Sequence, residues 1–364
     1  MQLLNGTSMP AAYTLGRDPD AREWLIVVVK GTFAFPAADA PVGLAAEQLP
    51  IVESDTFTGD PGLSAPLLES DFALRKRRCD VLLVGSAYAP GRPARRVEVG
   101  VRVGPLKKEF AVLGPRRWRR SLFGLKPTRP ARFAKQPISY DVAFGGAVAL
   151  PRGGTDTFLA NPIGIGYHAR RRRKDAAGMP APQTEELRRR VRKPNGKYVP
   201  MSYGAIGRAW APRAGYAGTY DQRWLDEVFP FLPHDFNEAY FQAAPRDQQI
   251  PFPRGGERIS LRNLTPEGHL DFTLPDLSVP FEVKRAGAGW ERVDLVADTI
   301  VLEPDERRFS VTWRATLPVR RSPFEFRQAV VGRMTPGWYR ARKTGKLYYS
   351  SVAQLVEQRG PAFD

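Results

Sequence analysis

Three histidines, His168, His234 and His269, and a single cysteine, Cys79, are the only residues of their kinds in a chain of 364. They are too scattered for a metal site, which needs convergent His, Cys or carboxylate ligands at short spacings. No metal and no cofactor is therefore expected, and one cysteine excludes an internal disulfide. Cys79 opens the run CDVLLVG, where a thiol serves as a small buried residue and not as a nucleophile. Gly164-Ile165-Gly166 lacks the strand and helix context of a dinucleotide loop, and the sequence contains neither a P-loop nor a G-x-S-x-G elbow. Asp60, Asp71, Asp221 and Asp235 offer acid–base chemistry on paper. Asp beside Gly or Pro, however, more often bonds its own backbone in a turn. His234-Asp235 is the best dyad available, yet adjacent residues seldom turn their side chains toward each other. Asp247-Gln248-Gln249 suits hydrogen bonding to irregular backbone. These residue types point away from catalysis.

Charge is the other bulk signal. A formal charge of +17 and a pI near 10.2 favour an anionic partner, whether nucleic acid, a membrane surface or an acidic protein. The basic runs 170–174 and 188–193 contain no aromatic residue, whereas single-strand readers interleave cations with stacking rings. Trp118 and Phe123 among their cations match that pattern better, but no helix-turn-helix, zinc finger or RNP signature accompanies them. Nucleic acid is thus the less favoured partner, and the basic runs are expected to lie solvated or disordered. No stretch approaches the roughly twenty apolar residues that span a bilayer. Residues 1–16 lack the basic start and apolar run of an export signal. A cytoplasmic location without a membrane partner is expected.

The elements that would position these residues are mostly strands. WLIVVVKGTFAF (24–35) is a β-branched run suited to a strand buried on both faces, with Gly31 as a candidate bulge. CDVLLVGSAYAP (79–90) reads as a second buried strand. Val97, Val99, Val101 and Val103 alternate with polar or glycine positions, and KKEFAVLG (107–114) completes a hairpin. Strand signals return after residue 257, ending in RRFSVTWRATL. There Phe309, Val311, Trp313 and Ala315 share one face, while Ser310, Thr312 and Arg314 share the other. SSVAQLVEQRG (350–360) spaces its apolar residues as a short helix.

Between the strand-rich regions lies the most unusual stretch, Trp210 to Gln249. It is crowded with Trp, Tyr, Phe and Pro, and Pro230, Pro233 and Pro245 forbid a long helix or a central strand. An ordered, aromatic-stiffened segment with one short helix near 237–243 is expected. Long irregular segments of this kind tend to be functional. The organisation read from the sequence is a β unit over 1–140, an irregular Gly/Pro/aromatic-rich segment over 141–257, a second β unit over 258–330 and a tail over 331–364. The fold class is mainly β: antiparallel sheets in one or two sandwich-like units with long irregular connections and few short helices.

Many of these motifs occur in one order: WLIVVVKGTFAF, Thr58-Gly59-Asp60, Glu69-Ser70-Asp71, CDVLLVGSAYAP, AFGG (143–146), NPIGIG (161–166), W-x-P-R followed by AGTYD-x-x-W (210–224), FLPHDF, AAPRDQQ (243–249) and GGE (255–257). In this the chain resembles domain-of-unknown-function family 2169 over about residues 2–320. The resemblance implies a non-catalytic adaptor or chaperone that binds a secreted effector of a type VI secretion system and helps load it onto the VgrG/PAAR spike proteins. Aromatic and Arg side chains usually dominate interface energy. The candidate partner-binding residues are therefore Trp118, Trp210, Arg213, Tyr220, Asp221, Trp224, Asp235, Phe236, Asp247 and Gln248. Two other readings remain: a hydrolase-type enzyme acting on a carbohydrate or peptide in a 210–249 cleft through Asp221, His234 or Asp235, and a nucleic-acid-binding protein.

Overall fold

A computed structural model describes residues 1–37, 40–122, 124–150, 152–168, 175–346 and 348. The β-branched run forms the strand Glu23–Ala34, buried from Leu25 to Phe33. It lies fifth in a six-stranded sheet ordered Gln249–Ile250, Cys79–Leu83, Val296–Glu303, Arg308–Pro318, Glu23–Ala34, Ala11–Arg17. All neighbours in it are antiparallel except Cys79–Leu83 and Val296–Glu303. Central strands covered on both sides need apolar residues at every position, which explains the unbroken Leu25–Val29 run.

A second, five-stranded antiparallel sheet is ordered Thr184–Glu185, Leu106–Leu113, Arg96–Val103, Arg258–Arg262, His269–Thr273. Its alternating Val97, Val99, Val101 and Val103 enter the same core as Leu25, Val27 and Val29, and as Phe309, Val311 and Trp313. A four-stranded sheet of Gln2–Asn5, Phe326–Val331, Phe281–Arg285 and Trp290–Arg292 adds Phe281, Val283, Ala329 and Val331 to that core. Strands from 1–140 and 258–330, read from the sequence as two units, therefore alternate within shared sheets. The mainly β class with antiparallel sheets and few short helices holds.

Several local expectations are corrected. Gly31 is no bulge, because its pairing with Val311 sits in unbroken register. A Cβ there would lie 2.7 Å from Met9 Sδ and 3.0 Å from the Trp313 ring, so glycine is what lets the indole lie against the strand. Residues 79–90 form two strands, Cys79–Leu83 and Gly85–Tyr88, the second pairing with Lys135–Ile138. The helix read at 350–360 lies outside the described residues. The described tail instead holds the helix Pro336–Thr344, capped by Thr335 and anchored where Arg342 stacks 3.8 Å from the Trp290 ring and pairs with Glu282 at 2.6 Å.

The polar face of Arg308–Pro318 is buried as well. The segment 50–76 covers it, and a charged network replaces water there. Asp71 accepts from Lys30 at 3.0 Å, from Thr312 at 3.0 Å and from the Val52 amide at 2.7 Å. Arg314 donates to Asp298 at 2.6 Å and to the Ala73 carbonyl at 3.0 Å. Buried charges persist only when paired and hydrogen-bonded, so these partners define where the covering segment must sit.

Candidate functional site

The Trp210–Gln249 segment is fastened to this scaffold at both ends by buried polar contacts. Pro212 tolerates the first turn of the short helix Ala211–Ala214, which directs Arg213 inward until it is 1% exposed. Its guanidinium pairs with Glu69 and donates to the Tyr240 carbonyl at 2.7 Å and the Ile206 carbonyl at 2.7 Å. Arg208 adds a bidentate pair with Asp55 at 2.8 and 3.0 Å. At the far end, Gln242 donates to Asp80 at 2.7 Å and accepts from the Arg77 and Arg78 amides at 2.9 and 3.0 Å. Gln248 then ties the two larger sheets together. It accepts from Lys108 at 2.6 Å and donates to the Val81 and Tyr203 carbonyls, each at 2.8 Å. Asp247 adds an ion pair to Lys108 at 3.1 Å.

Between these anchors the chain folds into a lobe. Asp221 caps the helix Gln222–Glu227 by accepting from the Trp224 amide at 2.9 Å. Asp235 clasps the opposite limb, accepting from the Thr219 amide at 2.9 Å and its hydroxyl at 2.7 Å. These bonds, the amide first, hold the Asp235 carboxyl below the ordinary carboxylate range. Gly218 has φ +84°, and a Cβ there would strike Pro233 and the Asp235 carboxylate. Asn237 caps the 3-10 turn Glu238–Phe241, a shorter element than the helix expected at 237–243; the helix at 222–227 was not expected at all. Phe236 packs on Tyr240 and Phe241, and Phe241 rests against Ile26, Val28 and Leu74 of the main sheet.

What the lobe leaves outside is a row of apolar side chains. Tyr220, Leu225 and Phe229 are 53%, 52% and 61% exposed. Trp224 joins them, its ring 4.7 Å from Tyr220 and 5.6 Å from Phe229, while its Nε1 donates to the Phe231 carbonyl at 2.9 Å. The lobe meets the last strand of the main sheet, Ala11–Arg17, where Arg17 lies 5.6 Å from the Phe231 ring centroid. Lys30 donates to Pro10 and Asp18 to Arg22, so the even positions face the neighbouring strand. The backbone groups of Ala11, Tyr13, Leu15 and Arg17 therefore point off the open edge. A cleft of about 440 Å³ lies between the lobe and the turn after this strand, lined by Pro19–Arg22, Glu227, Val228, Phe231 and His234.

Of the residues singled out in the sequence, Tyr220 and Trp224 belong to the exposed row, and Phe236 packs beneath the lobe. Asp221, Asp235 and Asp247 each hold a structural contact. Trp118, Trp210, Arg213 and Gln248 are interior. Trp118 donates to the Gly166 carbonyl at 3.1 Å within a satellite core of Phe144, Val191 and Tyr198, so it offers no surface for stacking. Phe123 and the run 170–174 lie outside the described residues. The 188–193 run, expected to be loose, is anchored: the Val191 amide donates to Glu185 at 3.2 Å and the Arg192 amide to the Tyr198 hydroxyl at 3.0 Å. Cys79 is fully buried, and burial first, then Asp298 and Asp80, pushes its thiol well above the ordinary range. Leu225, Phe229 and the strand edge were missed in the sequence. The alternation of Tyr13, Leu15 and Arg17 was the available signal for the edge.

The family model described as "Uncharacterized protein conserved in bacteria (DUF2169)" matches residues 20–314. The chain belongs to the DUF2169 family. A search of the curated proteins and one of the solved structures each returned no match. Within the matched range, Asp71 and Gln248 tie the covering segments to the sheets, Arg213 ties the lobe to Glu69, and Asp235 closes the lobe on itself. No helix among the described residues is long and apolar enough to cross a membrane.

One pH response follows from these anchors. Burial alone would raise the Asp55 carboxyl, but the Arg208 hydrogen bond, the Ser70 amide and the charges of Arg208 and Arg213 together lower it below 3.8. A carboxyl lowered in the folded state contributes stability above its unfolded value and loses it as the pH falls through the folded one. Urea titrations should thus show a plateau at neutral pH and falling stability below about pH 4. Asp55→Asn should flatten the acid limb.

Proposed function

We propose that this protein is a non-catalytic adaptor that grips a partner protein across the exposed aromatic row and the open Ala11–Arg17 edge. The observation that carries the reading is an exposed apolar row on a lobe held by buried ion pairs, which meets the open-edged strand at Arg17 and Phe231. An extended partner segment would add a strand at Ala11–Arg17, with backbone bonds giving affinity and side-chain anchors giving specificity. Tyr220, Trp224 and Phe229 supply rigid aromatic area of the kind that dominates interface energy. The family resemblance supports the finer assignment: a cytoplasmic chaperone of a type VI secretion effector that helps deliver it to the spike proteins.

The test is co-expression of the full chain with the product of the neighbouring gene, followed by size-exclusion chromatography. A stable complex is expected, and its absence with every adjacent gene product would contradict the reading. Leu15→Pro removes an outward amide and no bond of the native sheet. It should weaken the partner by at least about tenfold while leaving the melting temperature unchanged. Wild-type affinity in Leu15→Pro would rule out strand addition.

A further inference from the structure

A separate cleft opens on the outward face of the five-stranded sheet. Six arginines, Arg92, Arg95, Arg96, Arg129, Arg132 and Arg262, line its volume of about 510 Å³ together with a single acid, Glu98. They arrive from three parts of the chain: the turn before Arg96–Val103, the loop before Phe133 and the end of Arg258–Arg262. A bridge between Ala94 and Phe133 holds the first two together, and Arg132 donates to the Pro93 carbonyl at 3.2 Å. Arg96 pairs with Glu98 at 2.6 Å and Arg262 with Glu109 at 3.2 Å.

The cluster remains under-satisfied. The Nε–H groups of Arg95, Arg96 and Arg262 are all buried without an acceptor. Three buried donors without an acceptor in one cleft are unusual, because buried polar groups are generally hydrogen-bonded. Desolvation first, and then the charges of Arg129 and Arg132, lower the Arg95 guanidinium from its ordinary value. An anion in the cleft would relieve the mutual repulsion of these guanidinium groups.

We propose that this cleft binds a short run of acidic side chains, Asp or Glu, on a partner protein. Guanidinium forks match carboxylates in bidentate geometry. The lining contains no aromatic ring on which a base could stack. The volume suits a few side chains. Arg96 also donates to the Leu187 carbonyl at 3.5 Å, which sets the exposed Arg188, Arg189 and Arg190 next to the cleft. Those arginines extend a positive field that speeds the approach of an acidic segment. The site shares no residue with the aromatic row and stands independently of it.

Fluorescein-labelled hexaglutamate titrated into the full chain at about 0.15 M salt tests this, since only close contacts survive that screening. Saturable binding is expected. Arg129→Gln/Arg132→Gln should weaken it at least about tenfold without lowering the melting temperature, because each removed fork loses charge-assisted hydrogen bonds. Arg129→Lys/Arg132→Lys, which keeps the charge but not the fork, should also lose affinity. Arg188→Gln/Arg189→Gln/Arg190→Gln should slow association and leave the dissociation rate unchanged. The proposal is overturned by undiminished binding in either Arg129/Arg132 variant, or by equal equilibrium losses in the cleft and 188–190 variants. It is equally overturned if single-stranded DNA binds more tightly than the peptide with the same dependence on Arg129 and Arg132, which would make the cleft a nucleic-acid site.

Discussion

Arg213→Ala should destabilise the protein by about 3–5 kcal/mol, the usual cost of removing one partner from a buried ion pair. The size follows from what is stranded. Glu69 is left as a buried carboxylate with only Arg208 nearby, at 3.5 Å, and the Tyr240 and Ile206 carbonyls lose their donor. Arg213→Lys should lose less, since an ammonium keeps the charge but not a planar fork reaching Glu69 and both carbonyls. Chemical denaturation followed by tryptophan fluorescence reads the total. Hydrogen exchange should show the loss concentrated in residues 206–241, where the lobe would open before the sheets.

Asp80→Ala is expected to act at the other end of the same segment with a similar cost, about 3–5 kcal/mol. Asp80 is fully buried and accepts from Lys76 at 2.8 Å, from Gln242 at 2.7 Å and from the Ala243 amide at 2.8 Å. Burial by itself would lower the Lys76 ammonium, but Asp80, Asp298 and the Asp80 hydrogen bond together raise it above 10.5. A raised lysine contributes stability below its unfolded value and loses it as the pH climbs through the folded one. Without Asp80 that contribution is lost, so the gap between wild type and Asp80→Ala should be wide at neutral pH and narrow above about pH 10.5. Equal stability of the two proteins at pH 7 would show that the pair is not what fastens the segment.

The strands were legible because burial imposes a period. Val97 to Val103 and Phe309 to Ala315 announce one inward face by alternation alone. Alternation cannot say whether the other face meets water. Thr312 and Arg314 look like a solvent face until Asp71, 241 residues away from Thr312, folds over them. Gly31 invited a bulge because local propensity carries no record of the Trp313 ring that occupies the space a side chain would need. In the aromatic segment the polar motif residues became clasps and bolts, while its exposed row contained Leu225 and Phe229, which no motif singled out. The arginine cleft was invisible for a plainer reason. Contiguous runs attract attention, whereas Arg92, Arg132 and Arg262 meet only after the second sheet has formed.

The most direct test measures the affinity of the partner recovered by co-expression for the Tyr220→Ala/Phe229→Ala double variant. Both side chains are more than half exposed, so the melting temperature should hold. Isothermal titration should then show binding weakened by at least about thirtyfold, as when interface hot spots are truncated. A double variant that stays folded and binds its partner as tightly as wild type would contradict the account.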